Sequence, residues 1–267
     1  EIVSKAQEKF DVPVLGTESG YSIKGIDLGS NNFRTVQKPK VAMLVGEGVS
    51  SYEAGEVWHL LDTRVHMPIT KLRMNNFKRA NLDKYNTLVM VSGSYENLDS
   101  IQRQRLKNWI GRGNTLVSLA GASKWMIDKK IVKERLVKKP KPKEKPQTKR
   151  LPYVEASEHR GRDRIGGVIL EVDLDVTHPL GFGYRSGKLP VYKNNMVFLA
   201  PSENAYATVA KYSENPHIDG FSTKKNIDTF IKPSASIIVS STGQGRVVLF
   251  ADNPNFRGAW YEQISCF

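Results

Sequence analysis

The chain has 267 residues, 39% of them hydrophobic and 25% charged, so it can bury a sizeable core and is not a disordered polymer. Its net charge is +13, but residues 129–150 alone hold eleven Lys or Arg against two Glu, and the remainder is only mildly basic. The single cysteine, Cys266, excludes an internal disulfide framework and a Cys-rich zinc site, and no apolar run approaches the roughly 18 residues that a membrane-spanning helix needs. The chain begins at Glu1 and not at Met, the start expected of a processed protein or an excised fragment.

Residues 1–38 read as an irregular lead-in or linker from an upstream domain, holding one or two strands at most. The α/β domain is expected to span 39–267. KVAMLVG at 40–46 is a continuous apolar run of the kind buried on both faces of a parallel sheet. A helix follows it. Ser50 and Glu53 have capping-box spacing, and Ala54, Val57, Trp58 and Leu61 recur at helical spacing. PITKLRM at 68–74, NTLVMVSG at 86–93 and TLVSLAG at 115–121 predict three further strands. Between the last two, Leu98, Ile101, Leu106, Trp109 and Ile110 form an apolar stripe ended by Gly111 and Gly113. This strand–helix alternation predicts a mostly parallel sheet with helices on both faces.

The Lys/Pro-rich segment at 129–150 breaks the pattern and predicts an exposed loop. IGGVILEVDLDV at 165–176, YATVAKY at 206–212, ASIIVSS at 235–241 and RVVLFAD at 246–252 then read as strands, the last two joined by a TGQG turn. The second half is therefore β-rich.

In a doubly wound sheet, ligands gather at the carboxyl ends of the strands. The tips there are GEGVSS, with Glu47 and Ser50; SGSY, with Ser92, Gly93 and Ser94; AGAS, with Ala120 and Gly121; and ADNPN, with Asp252 and Asn253. TLVSLAGASKWM at 115–126 has the strand, small-residue turn and helix of a nucleophile elbow, but Trp125 stands where G-x-S-x-G needs its second glycine after Ser123. Ser118 falls inside the strand, facing a neighbouring layer. Asp173, Asp175 and His178 offer only three convergent ligands, and His178 before Pro179 reads as a turn residue more than a metal ligand. The basic run lacks interleaved aromatics, which argues against nucleic acid as its partner and leaves a polyanion-binding module as an alternative role.

KVAMLVGEGVSSYEAGEVWHLLD, LVMVSGSY and LKNWIGRGNTLVSLAGASKWM together resemble the class I glutamine amidotransferase-like domain. They resemble most closely the version C-terminal to zinc carboxypeptidase (carboxypeptidase A-like) domains in secreted proteins of Bacteroidetes-type bacteria. GIDLGSNNF, DVTHPLGFGY and RVVLFADNPNFRGAWY resemble it too. The resemblance implies a flavodoxin-like α/β fold and places Gly93 in the oxyanion loop and Ala120 or Gly121 at the nucleophile position. Neither of those residues can attack a carbonyl, so acyl-enzyme chemistry is closed. No His-x-x-Glu occurs either: Asp62, Ile69, Arg162, Gly181 and Gly220 stand three residues after the five histidines. The expectation is a non-catalytic accessory domain, periplasmic or extracellular. Its partner is the upstream peptidase domain, whose zinc is not in this segment, and peptide or glycan is a candidate ligand at the degenerate site. A small-molecule hydrolase or lyase using Glu47, His178 and Asp252 is the enzymatic alternative.

Overall fold

A computed structural model describes residues 1–11, 13–33, 36–138 and 150–258. The chain divides into two units, Glu1–Lys38 and Pro39–Phe267. The first contains helix α1 (Ile2–Phe10), and no strand occurs among its described residues. The expectation of one or two strands there is corrected: within GYSIKGIDLGSNNF, Gly25 and Gly29 take positive φ and break the run of strand formers.

The second unit is built on one nine-stranded sheet. Its strands are β1 (Val41–Val45), β2 (Ile69–Arg73), β3 (Thr87–Met90), β4 (Thr115–Leu119), β5 (Val168–Leu174), β6 (Lys188–Lys193), β7 (Thr208–Gly220), β8 (Ala235–Thr242) and β9 (Gly245–Phe250). The order β2-β1-β3-β4-β9-β8-β7-β5-β6 begins with five strands whose pairings are all parallel, in the flavodoxin-like arrangement, and continues with four antiparallel pairings. The β-rich second half thus completes the same sheet.

Alternate residues of the parallel strands enter two cores. Val41, Met43, Val89 and Val117 meet Ala54 and Val57 of α2 (Ser51–His59) on one face. Ala42, Leu44, Leu88 and Leu116 meet Leu106 and Trp109 of α3 (Ser100–Gly111) and Trp125 and Met126 of α4 (Gly121–Asp128) on the other. Both faces of the parallel half are covered, which is why its strands read as continuous apolar runs.

Several details differ from expectation. Ile101 is 77% exposed, although it shares the spacing of the α3 stripe. The exposed loop does not begin at residue 129: Ile131 and Val132 are buried, and Leu136 bridges to Leu199. These apolar residues interrupt the basic run and cover the end of the second core, while residues 139–149 lie outside the described ones. Strand β6 has Pro190 at its centre, a position tolerated because β6 is an edge strand pairing with β5 alone.

Candidate functional site

The loops at the carboxyl ends of β1 and β3 meet in a backbone network. Val49 bridges Gly93, Ser50 N–H donates to Ser92 O at 2.8 Å, and Ser94 N–H donates to Gly48 O at 2.8 Å. The fit is close enough that a Cβ on Gly93 would stand 2.7 Å from Gly48 O, and one on Gly48 would stand 2.7 Å from Ser94 O. Only glycine leaves room for this approach. The loops after β1 and β3 are therefore packed tightly against each other.

Ser50 caps α2 as its position predicts, its hydroxyl accepting from Glu53 N–H at 3.3 Å. The second half of the capping box is absent. Glu53 Oε2 instead accepts from Ser92 N–H at 2.8 Å, tying α2 to the tip of β3. Burial pushes the Glu53 carboxyl above its usual range, and hydrogen bonds from Ser92 oppose this. Sequence spacing alone pointed Glu53 at its own helix, so its link across 39 residues was missed.

Ala120 holds φ 41° and ψ −105°, a strained backbone of the kind that nucleophile elbows adopt. Of the two positions Ala120 and Gly121, the geometry thus assigns the elbow apex to Ala120, a residue that is 3% exposed. Gly121 N–H, the next backbone donor, points to Ser92 Oγ at 3.2 Å. Neighbouring serines have structural partners. Ser123 Oγ bonds to Ser118 O at 2.9 Å and Phe250 O at 2.8 Å, and Ser118 Oγ lies 3.2 Å from Val248 O. Both are fully buried.

Glu47, His178 and Asp252 are not brought together. Glu47 is exposed on the rim of a separate groove with Arg73 and Lys78. Strand β5 runs against β7, β7 against β8, and β8 against β9, so the carboxyl end of β5, and His178 after it, lie at the amino ends of the parallel strands. His178 Nδ1 there accepts from Leu180 N–H at 3.1 Å, while burial lowers its pKa and Asp175 opposes the shift. The nearby carboxylates are also engaged, Asp173 with Lys188 and Asp175 with Thr177.

Asp252 is committed to a buried network. Its Oδ1 lies 2.9 Å from Lys193 Nζ, and its Oδ2 accepts from Tyr212 at 2.5 Å and Ser236 at 3.2 Å. Lys193 is wholly buried and also donates to Val197 O at 2.7 Å; burial lowers its pKa, opposed by Asp252. Neither Lys193 nor Tyr212 was legible as a partner, since they stand 59 and 40 residues from Asp252. Asn253 Nδ2 donates to Glu56 Oε2 at 2.6 Å, and Arg257 N–H donates to Glu56 Oε1 at 2.9 Å. The tip after β9 is thereby pinned to α2.

Together these features define a flavodoxin-like α/β domain with an elbow that carries no nucleophile. No protein-family model matches the chain, and no curated protein matches it. Among solved structures it is similar to a ThuA-like protein from Bacteroides uniformis, with 13% identity and a TM-score of 0.48 over 89% of this chain and 94% of that one. A ThuA-like protein from Parabacteroides merdae gives 13% identity and a TM-score of 0.49 over 80% and 79%. A glutamine amidotransferase from Thermotoga maritima gives 10% and 0.46 over 82% and 77%. These likenesses are remote, and the fold assignment rests on the strand order.

No helix among the described residues is long and apolar enough to cross a membrane.

Proposed function

We propose that the chain is a non-catalytic accessory or binding domain of a zinc carboxypeptidase-like protein that works in the periplasm or outside the cell. The observation that carries the first half of this reading is the elbow. Its apex is Ala120, which has no attacking atom, and the adjoining donor Gly121 N–H is already held by Ser92. The link to a carboxypeptidase rests on the resemblance of the long phrases quoted above, and the zinc would belong to the peptidase domain. In this role the sheet supplies a rigid body, and the tips supply a surface for the peptidase domain or for a peptide.

The hydrolase alternative using Glu47, His178 and Asp252 loses its basis, because acid–base groups must reach one substrate and these three occupy different parts of the molecule. The test is C-terminal trimming of a peptide by the full-length protein, with and without residues 39–267. Deletion should lower the activity or stability of the peptidase, while Glu47→Ala leaves both unchanged. Full activity and stability after deletion would refute an accessory role.

A further inference from the structure

The sheet face that α2 covers holds an apolar cavity of about 220 Å³. Its floor includes Val89, Val117 and Val248 on three adjacent strands, and Leu61, Met67 and Leu180 close over it from outside the sheet. Protein interiors are close-packed, so an unfilled void of this size costs stability. An apolar cavity of roughly 150 Å³ stays dry and takes up benzene, and this one has room for a larger apolar body. It opens at the amino ends of the parallel strands, where the lining residues Pro39, Thr87 and Thr115 keep some exposure while Val89 and Val117 behind them are buried. Arg246 stands at that same end. It pairs with Thr115 across β4 and β9, and strand alternation puts it on the face of Val248. The Arg246 guanidinium has no ion-pair partner among the described residues. Beside it, burial lowers the His178 pKa; Asp175 opposes the shift and the Arg246 charge adds to it. Asp175 is itself held by the N–H and hydroxyl of Thr177.

We infer that this cavity binds the anion of a medium-chain fatty acid, with the alkyl chain inside and the carboxylate on the Arg246 guanidinium at the mouth. The two parts of the site ask for two parts of one ligand. Walls of Val, Leu, Met and Phe offer no hydrogen bond, so whatever enters must be apolar. A guanidinium presents parallel N–H donors that match a carboxylate, and the Thr115 hydroxyl at the opening is a further donor. The volume lies below the roughly 300–1,000 Å³ of pockets for drug-sized ligands, which favours a narrow chain over a peptide or an oligosaccharide. This site uses neither Ala120 nor the tips around it, so it stands or falls independently of the accessory-domain reading.

Titration calorimetry on the whole 267-residue chain with octanoate, hexanoate and the neutral octanamide tests the proposal. Octanoate should bind on the order of tenfold more tightly than hexanoate, the worth of two buried methylenes. It should also bind at least about tenfold more tightly than octanamide, the minimum expected from one charge-assisted contact. Two kinds of variant separate the head of the ligand from its chain. Arg246 is exposed, so Arg246→Gln should keep its melting temperature, bind octanoate about tenfold more weakly and leave octanamide binding unchanged. Val117→Phe fills the cavity from its floor and should abolish binding of both compounds; if it fails to fold, Leu180→Phe blocks the same space from a half-buried loop position. No binding of octanoate, equal binding of octanoate and hexanoate, or undiminished binding by Arg246→Gln would overturn the proposal. Octanoate binding that survives in a folded, cavity-filled variant would overturn it too, since the chain would then lie elsewhere.

Discussion

Ser92 Oγ accepts a hydrogen bond from Gly121 N–H at 3.2 Å, so the backbone donor beside the elbow is satisfied from within the protein. In an acyl-transfer enzyme such a donor must be free to meet the developing oxyanion. Its occupation by a serine hydroxyl makes this tip a structural joint. Ser92→Ala should therefore lower stability by about 1 kcal/mol, the usual worth of a hydrogen bond, as read by urea unfolding.

Ala120 is strained at the apex of that joint. Glycine adopts such a conformation without a Cβ clash, and the relief of about 1–3 kcal/mol exceeds the roughly 1 kcal/mol of extra chain entropy that glycine loses on folding. Ala120→Gly should raise the melting temperature. Ala120→Val, branched and buried, should lower it clearly in the same measurement.

Gly93 stands where the tips of β1 and β3 meet, with no space for a methyl beside Gly48 O and Val49 Cα. Gly93→Ala should destabilise by about 1–3 kcal/mol, as overpacking does, and should raise hydrogen exchange at Ser50 and Ser94, whose N–H groups bond across the joint.

Much of the sheet was legible in the sequence because the parallel strands are buried on both faces and so appear as unbroken apolar runs. The less legible parts depended on distant context. Strand β6 hides behind Pro190, which only an edge position permits. The end of the sheet at which His178 stands is not legible locally, because the direction of β5 is set by antiparallel pairings with β6 and β7. Asp252 looked like a free acid because its partners Lys193, Tyr212 and Ser236 lie on three other strands. The strained Ala120 was within reach, since the strand–turn–helix outline around it was plain and only its backbone angles were missing.

The Lys193–Asp252 pair is buried on both sides, with 0% and 4% of the side chains exposed. Removing one partner leaves an uncompensated buried charge, so Lys193→Met or Asp252→Leu alone should cost about 3–5 kcal/mol. The double variant should recover part of that loss, because no uncompensated charge remains although the Tyr212 and Ser236 hydroxyls lose their acceptor. Equal losses in the single and double variants would deny the coupling; a double-mutant cycle by urea unfolding decides.

Glu53 gives a pH signature. A carboxyl whose pKa is raised by burial binds its proton more tightly in the folded state, so its contribution is whole below the ordinary value of 4.5 and is lost as the pH rises through the raised value. Glu53→Gln cannot ionise. The stability of the unsubstituted protein relative to this variant should fall as the pH rises from 4.5 toward neutrality, and a constant difference would contradict the assignment.

The most direct test of the vestigial elbow is treatment of the folded chain with a fluorophosphonate, followed by intact-mass analysis and peptide mapping. With Ala120 at the apex and Ser92 held by Gly121, no stoichiometric adduct should form. A single adduct on Ser92 or Ser123 would show an activated nucleophile there and contradict the account.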